Sequence, residues 1–359
     1  MTWDVKPLAD VVELRRGFDL PTSDRVPGEF PVISAGKQIG THHEAKVDGP
    51  GFAVGRATNL GVPQWSDQDY WPLNTTLYAA SFKGNNPRWL FHLFQMLDLT
   101  GFNSGSVQPM LNRNYIAQVQ VRVPPRRTQD AIGEVLGALD NKIAANRRVI
   151  GSSVALATQI VAREAFGPDR QLSEIADVQM GSSPRGADLN EDGDGMEFYQ
   201  GVRDFGPLSP TPRVFATVTP RRANAGDTLL AVRAPVGEVN WARNETCIGR
   251  GLAAVRSVGT PTTIHYLLKR FASRWDEHEG SGTVFSSVTG PQVKGMRFPT
   301  VPEASAEDVE QVVASIHHRA LSAEAESEVL ARTRDELLPL LMNGRISVKD
   351  AERVVGDVM

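Results

Sequence analysis

The sequence predicts an α+β chain in which two globular domains alternate with two long helices that pack as an antiparallel coiled coil, the whole forming a pseudo-twofold internal repeat. Three observations carry this expectation. Paired segments recur at a nearly fixed offset. Two stretches keep a hydrophobic period of 3.5 residues. The segments between them are rich in glycine, proline and β-formers.

The repeat begins near the N-terminus. Leu8-Ala9-Asp10-Val11-Val12-Glu13-Leu14-Arg15-Arg16-Gly17 matches Leu172-Ser173-Glu174-Ile175-Ala176-Asp177-Val178-Gln179-Met180-Gly181. Both read as a short polar-capped turn or strand ending in glycine. Phe52-Ala53-Val54-Gly55-Arg56 resembles Leu230-Ala231-Val232-Arg233. Each is followed by Gly61-Val62 or Gly237-Glu238 and then by Trp65 or Trp241, both expected in cores. Gly105-Ser106-Val107 matches Gly282-Thr283-Val284, and Val123-Pro124-Pro125 matches Val301-Pro302. Phe30–Ile33, Gly51–Val54, Gln118–Val123 and Thr228–Arg233 read as strands, and Trp89–Leu97 and Ile264–Phe271 as short helices.

A long stretch follows each proline segment. In the first, Ile132, Leu136, Leu139, Ile143, Asn146, Ile150, Ser153, Ala157 and Ile160 alternate at spacings of four and three. In the second, Val309, Val313, Ile316, Ala320, Ala323, Ser327, Leu330, Arg334 and Leu337 do the same, each 177 residues after its counterpart. Stretches of this length give helices of roughly 55–60 Å. A lone amphipathic helix is marginal in water, so each needs a partner surface, and the simplest is the other one. The polar residues Asn146, Ser153, Ser327 and Arg334 lie in the seam, where such groups fix register. Gly167 and Gly344 read as helix stops. The expected layout is residues 1–125 and 168–302 as domains, 126–167 and 303–343 as helices, and 344–359 as a tail.

Composition narrows the classes. A 41% apolar fraction supports ordinary cores. There is no apolar run of membrane-spanning length, and Met1-Thr2-Trp3-Asp4-Val5 lacks a basic stretch followed by an apolar one, so secretion is not expected. Cys247 is the only cysteine, which fits a reducing cytoplasm and a small buried residue. The net charge of −4 argues against a lone nucleic-acid binder. Yet only eight of the 38 basic side chains are lysine. Arginine suits phosphates and guanine edges, although a GC-rich genome raises it everywhere.

Six segments together resemble a known family. They are the Trp3–Gly17 opening, Ser104–Asn112, Val121–Pro125, Thr128-Gln129 with Ile132, Leu139–Ile143, and Leu337–Ile346. No single motif is specific, but the ordered set covers nearly the whole chain and is similar to specificity subunits of type I restriction–modification systems. That resemblance implies two target-recognition domains, each reading half of a bipartite site in double-stranded DNA, held apart by an antiparallel helical spacer. It implies recruitment of modification (methyltransferase) subunits, which carry S-adenosylmethionine chemistry, and then of restriction subunits. The chain itself would be non-catalytic and bind no cofactor. The second half departs from the pattern: Val301-Pro302-Glu303 replaces a double proline, Glu307 stands where the first half has Asp130, and the second helix is less apolar. Equal partner binding by the two repeats therefore does not follow.

Catalytic constellations are not found in the sequence. There is no Asn/Asp-Pro-Pro-aromatic motif and no phosphate loop, and Gly193-Asp194-Gly195 reads as a turn. His42-His43 and His317-His318 are adjacent pairs that cannot easily share a metal, and they read as solvated. Ser286 and Ser287 lack an identifiable base. Pro124-Pro125-Arg126-Arg127 reads as a rigid joint into the helix.

Candidate DNA contacts are loop residues with the chemistry of base and phosphate recognition. In the first domain they are Lys37, Gln38, Arg56, Thr58, Asn59, Ser104, Ser106, Gln108 and Asn112. In the second they are Arg185, Gln200, Arg203, Arg233, Arg243, Arg250, Ser281, Thr283, Ser286 and Lys294. Arg56 and Arg233 repeat in both halves, which points to a structural or phosphate role. Two other readings stand beside this one: a coiled-coil scaffold joining two β-rich interaction domains without DNA, and a sugar or nucleotide enzyme on duplicated β-domains.

Overall fold

A computed structural model describes residues 3–102, 110–278, 287–356 and 358. The chain divides into two compact units, Met1–Ile143 with Glu328–Met359, and Ala144–Ser327. Two helices, α4 (Arg126–Glu164) and α8 (Glu303–Met342), contribute to both.

The first unit opens with β1 (Asp4–Pro7), the single turn α1 (Leu8–Val11) and β2 (Glu13–Arg16). β3 (Phe30–Ser34) and β4 (Lys37–His42) form a hairpin. Then come β5 (Gly51–Gly55), β6 (Pro63–Ser66), β7 (Trp71–Pro72) and β8 (Thr76–Ser81). The helices α2 (Pro87–Met96) and α3 (Arg113–Ile116) precede β9 (Gln120–Val123), which pairs antiparallel with β1. A four-stranded antiparallel sheet runs β2-β8-β5-β6, and a three-stranded sheet runs β4-β3-β7 with β3 and β7 parallel. β5 is buried along its whole length, as its near-continuous apolar run requires. α2 starts where Asn86 accepts the N–H groups of Arg88 and Trp89, with Pro87 in the first turn. Its Trp89, Leu90, Leu93 and Phe94 join Phe52 in the core.

The first part of α4 seals this core. Ile132, Leu136, Leu139 and Ile143 are buried with Leu330, Leu337, Leu341 and Met342. Thr128 and Ile132 line one groove with Leu341 and Asn343, while Asp140 accepts from Arg334 at 3.0 Å. Partner numbers fall as α4 advances, so the two segments run antiparallel. Gly133 gives α2 room: a Cβ there would lie 2.9 Å from Asn86 Oδ1. Segment 344–359, expected as a tail, contains α9 (Val348–Gly356), whose Ala351 and Val355 enter the same core. Gly344, at φ +64°, stops α8 in the left-handed region.

The second unit repeats the plan. It contains β10 (Arg170–Gln171), α5 (Leu172–Ile175), β11 (Asp177–Met180), β12 (Leu189–Asn190), β13 (Met196–Tyr199), β14 (Val214–Ala216) and β15 (Arg222–Ala223). β16 (Thr228–Ala231), β17 (Val239–Trp241), β18 (Thr246–Ile248) and β19 (Leu252–Arg256) follow. The short helices α6 (Pro261–Arg270) and α7 (Gly290–Gly295) precede β20 (Arg297–Phe298), which pairs with β10. The four-stranded sheet is β11-β19-β16-β17, the same order as in the first unit. The accompanying sheet differs: five strands, β12-β14-β13-β18-β15, with β13 and β18 parallel. α6 has no side-chain cap from Thr260; Glu310 of α8 instead accepts Thr262 N–H, Thr262 Oγ1 and Thr263 N–H at 2.7–3.0 Å. Ala157 and Val161 of α4 pack with Val309 and Val313 of α8, and Asn146 donates to Glu326 at 2.7 Å.

Several sequence expectations are corrected. His42 and His317 are buried, not solvated. His42 packs edge-on to Trp71, and His317 lies under Trp241 with its Nδ1 2.9 Å from the Tyr266 hydroxyl. Gly167 is no left-handed stop; it is a close approach, where a Cβ would lie 2.7 Å from Thr300 O. Along the seam, Ile150 is buried, whereas Ile160 and Ile316 are only half-buried. Trp241 is core, but Trp65 is half-buried beneath the Arg88 guanidinium. As expected, Cys247 is buried, in β18.

Candidate nucleic-acid interface

In the first unit the chain crosses itself at Asn74-Thr75, and this crossing gathers several loops at one rim. Thr75 O accepts Arg56 N–H at 2.9 Å, the Thr75 hydroxyl meets Ser34 Oγ at 2.9 Å, and Asn74 N–H donates to Phe18 O. Gly17 is obligatory there, because a Cβ would lie 2.3 Å from Leu73 O. The β3–β4 turn uses Ala35 and Gly36, both with positive φ, and presents Lys37 and Gln38 exposed on the edge strand β4. Asn59 Nδ2 donates to Ala35 O at 3.0 Å and so holds that turn against the loop carrying the exposed Thr58. Lys37, Gln38, Arg56, Thr58 and Asn59 thus share one edge.

Arg56 is half-buried, its Nη1 donating to Asn74 O at 3.3 Å. Burial, with Arg16 close by, pushes its pKa down. A guanidinium held in that environment gains from an incoming anion. Asn112 is occupied as the N-cap of α3, accepting Asn114 N–H at 2.9 Å. Ser104, Ser106 and Gln108 lie outside the described residues, as do Ser281, Thr283 and Ser286.

The second unit builds its rim at the matching crossing. Gly181 N–H donates to Leu252 O as Gly17 N–H does to Thr76 O, and a Cβ at Gly181 would lie 2.2 Å from Gly249 O. Ser183 Oγ donates to Gln200 Oε1 at 2.8 Å and accepts Arg250 N–H at 3.2 Å, so Gln200 and Arg250 come together. Arg203 sits in the short 3-10 turn Val202–Asp204 that follows Gln200. Arg185, Arg203, Arg233 and Arg250 are all exposed.

Three expectations change on the structure. Arg56 and Arg233 are not equivalent. Val288 N–H donates to Val232 O just as Leu111 N–H donates to Arg56 O, so Arg56 matches the buried Val232 and Arg233 lies one residue further on. Arg243 is engaged by Glu324 of α8 at 2.7 Å. Lys294 is not a loop residue: it lies on α7 and lines a cleft with Asp177, Gln179 and Arg221. Sequence reasoning missed Ser183, Asn74 and Arg16. The repeated Gly17 and Gly181 mark the crossings, and the polar residues just beyond them were the available signal. Among the described residues no three His, Cys, Asp or Glu side chains gather as a metal set. No described helix is long and apolar enough to cross a membrane.

Residues 1–151 match the type I restriction modification DNA specificity domain. The chain is 26% identical over 268 residues to the type I restriction enzyme MjaX specificity subunit of Methanocaldococcus jannaschii, covering 67% of this chain. The match spans only 63% of that relative's own length. The crystal structure of the type I restriction–modification S subunit from M. genitalium superposes with a TM-score of 0.61 at 13% identity, over 95% of this chain and 96% of that one. That likeness concerns the fold.

Proposed function

We propose that the chain is a specificity subunit of the type I restriction–modification family, whose specificity domain residues 1–151 match, and that it reads a bipartite sequence in double-stranded DNA, one half-site per globular domain. One observation carries the reading. The same four-stranded sheet and the same loop crossing are built twice, but the sheet beside each differs, three strands in one and five in the other. A shared frame suits sequence-independent contacts to phosphates; distinct neighbouring loops suit different bases.

In this reading Arg56 and Arg16 meet phosphate, Lys37, Gln38 and Thr58 probe the first half-site, and Gln200, Arg203 and Arg250 probe the second. α4 and α8 form an antiparallel coiled-coil spacer between two target-recognition domains. Their seam carries the register-fixing polar pairs Asp140–Arg334 and Asn146–Glu326. With a net charge of −4, the chain needs cations from modification subunits to hold DNA. Those subunits supply the S-adenosylmethionine chemistry and restriction subunits supply cleavage, while this chain recognises without catalysing and binds no cofactor.

Exchanging residues 1–125 for the first domain of another family member tests the proposal. Sequencing of methylated bases in cells carrying the chimaera and its modification subunits should show one half-site changed and the other kept. A change in both half-sites, or in neither, would contradict it.

A further inference from the structure

Glu324 is the most heavily engaged buried carboxylate of α8. It is 7% exposed. Its Oε1 accepts Leu208 N–H at 3.2 Å and Ser209 N–H at 3.3 Å. Its Oε2 accepts the Ser209 hydroxyl and Arg243 Nη2, the latter at 2.7 Å. A buried carboxylate is costly unless donors converge on it, and here they converge from one loop and from Arg243 in the β17–β18 loop.

The loop so gripped joins the Val202–Asp204 turn to β14. Trp241 N–H donates to Leu208 O at 2.9 Å, and Asn240 Nδ2 donates to Gly206 O at 3.0 Å. On its other flank Asp204 holds Arg213 at 3.0 Å and its carbonyl accepts Thr211 N–H at 2.8 Å. The exposed Arg203 stands in the turn that leads into this loop, three residues after Gln200. Leu208 is buried and Val202 and Phe205 pack against the cluster of Tyr199, Leu229 and Ile248, so the carboxylate adds directional bonds to a stretch that apolar contacts also hold. Arg147, the α4 residue 177 positions earlier, is exposed.

We propose that Glu324 is a positioning residue for DNA reading by the second domain: it fastens to the long helix the loop that follows the Arg203 turn, so base discrimination in the second half-site depends on it. The proposal rests on the DNA-reading function above. A buried ion pair contributes little net stability once desolvation is counted, and fixing the conformation of this loop is the role assigned to it.

The test uses the full chain co-expressed with its modification subunits. Wild type is compared with Glu324→Gln, Glu324→Ala and the milder Ser209→Ala, which removes one donor and leaves the carboxylate paired. Methylated bases are sequenced genome-wide and mismatch tolerance is scored separately for each half-site, with the thermal melt recorded in parallel. Glu324→Ala should raise methylation at second-half-site mismatches by about tenfold, within the range one mismatched pair normally contributes. Glu324→Gln and Ser209→Ala should raise it less, and first-half-site fidelity should stay at the wild-type level in all three. Unchanged second-half-site fidelity overturns the proposal. So does equal relaxation of both half-sites, or loss of fidelity that merely follows the melt, including failure of Ser209→Ala to assemble. A wild-type complex that methylates no bipartite sequence would instead remove the DNA-reading premise itself.

Discussion

Acid should loosen the first unit through His92, and replacing that residue should remove the effect. His92 is fully buried on α2. Its Nδ1 lies 2.8 Å from Gln95 Oε1, and its Nε2 lies 3.6 Å from Asp140 Oδ2, too far for a hydrogen bond. Burial pushes its pKa down from 6.5 to about 4, against the pull of Asp140 and Gln95 and with minor help from Arg88 and Arg334. The unfolded chain therefore binds a proton near pH 6.5, while the folded chain resists until about pH 4. Between those values the unfolded state holds more protons, so this stability is fully present above pH 6.5 and is lost as pH falls. Linkage puts the loss from this one group at about 2 kcal/mol between pH 7 and 5. His92→Gln keeps a polar side chain and removes the titration. Guanidinium unfolding followed by tryptophan fluorescence at pH 7, 6 and 5 should show the variant losing about 2 kcal/mol less than wild type over that range. Parallel pH profiles for the two proteins would refute the reasoning.

Other outcomes follow from the same geometry. Arg334→Ala leaves the largely buried Asp140 beside a neutral histidine, and should cost about 3 kcal/mol in denaturant unfolding. A double-mutant cycle with Asp140→Asn should be non-additive by more than about 1 kcal/mol, and simple additivity would contradict the pairing. Gly181→Ala drives a Cβ to 2.2 Å from Gly249 O and should destabilise by about 1–3 kcal/mol or more. Gly186→Ala, with open space around it, should change stability by less than about 0.5 kcal/mol; equal effects of the two would show that the crossing is not tight.

The long helices were legible because their period persists through many turns, and the short helices because proline or asparagine opens them and apolar residues follow. β3, β5 and β16 were legible as apolar runs. The five-stranded sheet was not, since strands such as β12 and β15 have two residues each and no period to display. α9 was hidden by its brevity; its buried residues Ala351 and Val355 make only one helical repeat. Arg56 and Arg233 were misaligned because matching by residue type preferred arginine on arginine, while the backbone register pairs Arg56 with Val232. The histidines misled, and Glu324 gave no signal, for a common reason: burial of a polar side chain depends on partners distant in sequence, such as Tyr266 for His317 and Ser209 for Glu324. Of the candidate site, the structure brings several of the named loops to one rim in each unit, while some named residues have structural uses instead. Asn112 serves as a cap and Arg243 as a structural partner, and neither use carries a mark in sequence.

The most direct measurement concerns the gap between half-sites. One heptad added to α4 after Ile143 and another to α8 after Ser327 preserves the antiparallel register and lengthens each helix by about 10 Å, equivalent to about three base pairs. Methylated-base sequencing with this variant should return both original half-sites, separated by about three more unspecified base pairs. Full methylation at the original spacing would contradict the account.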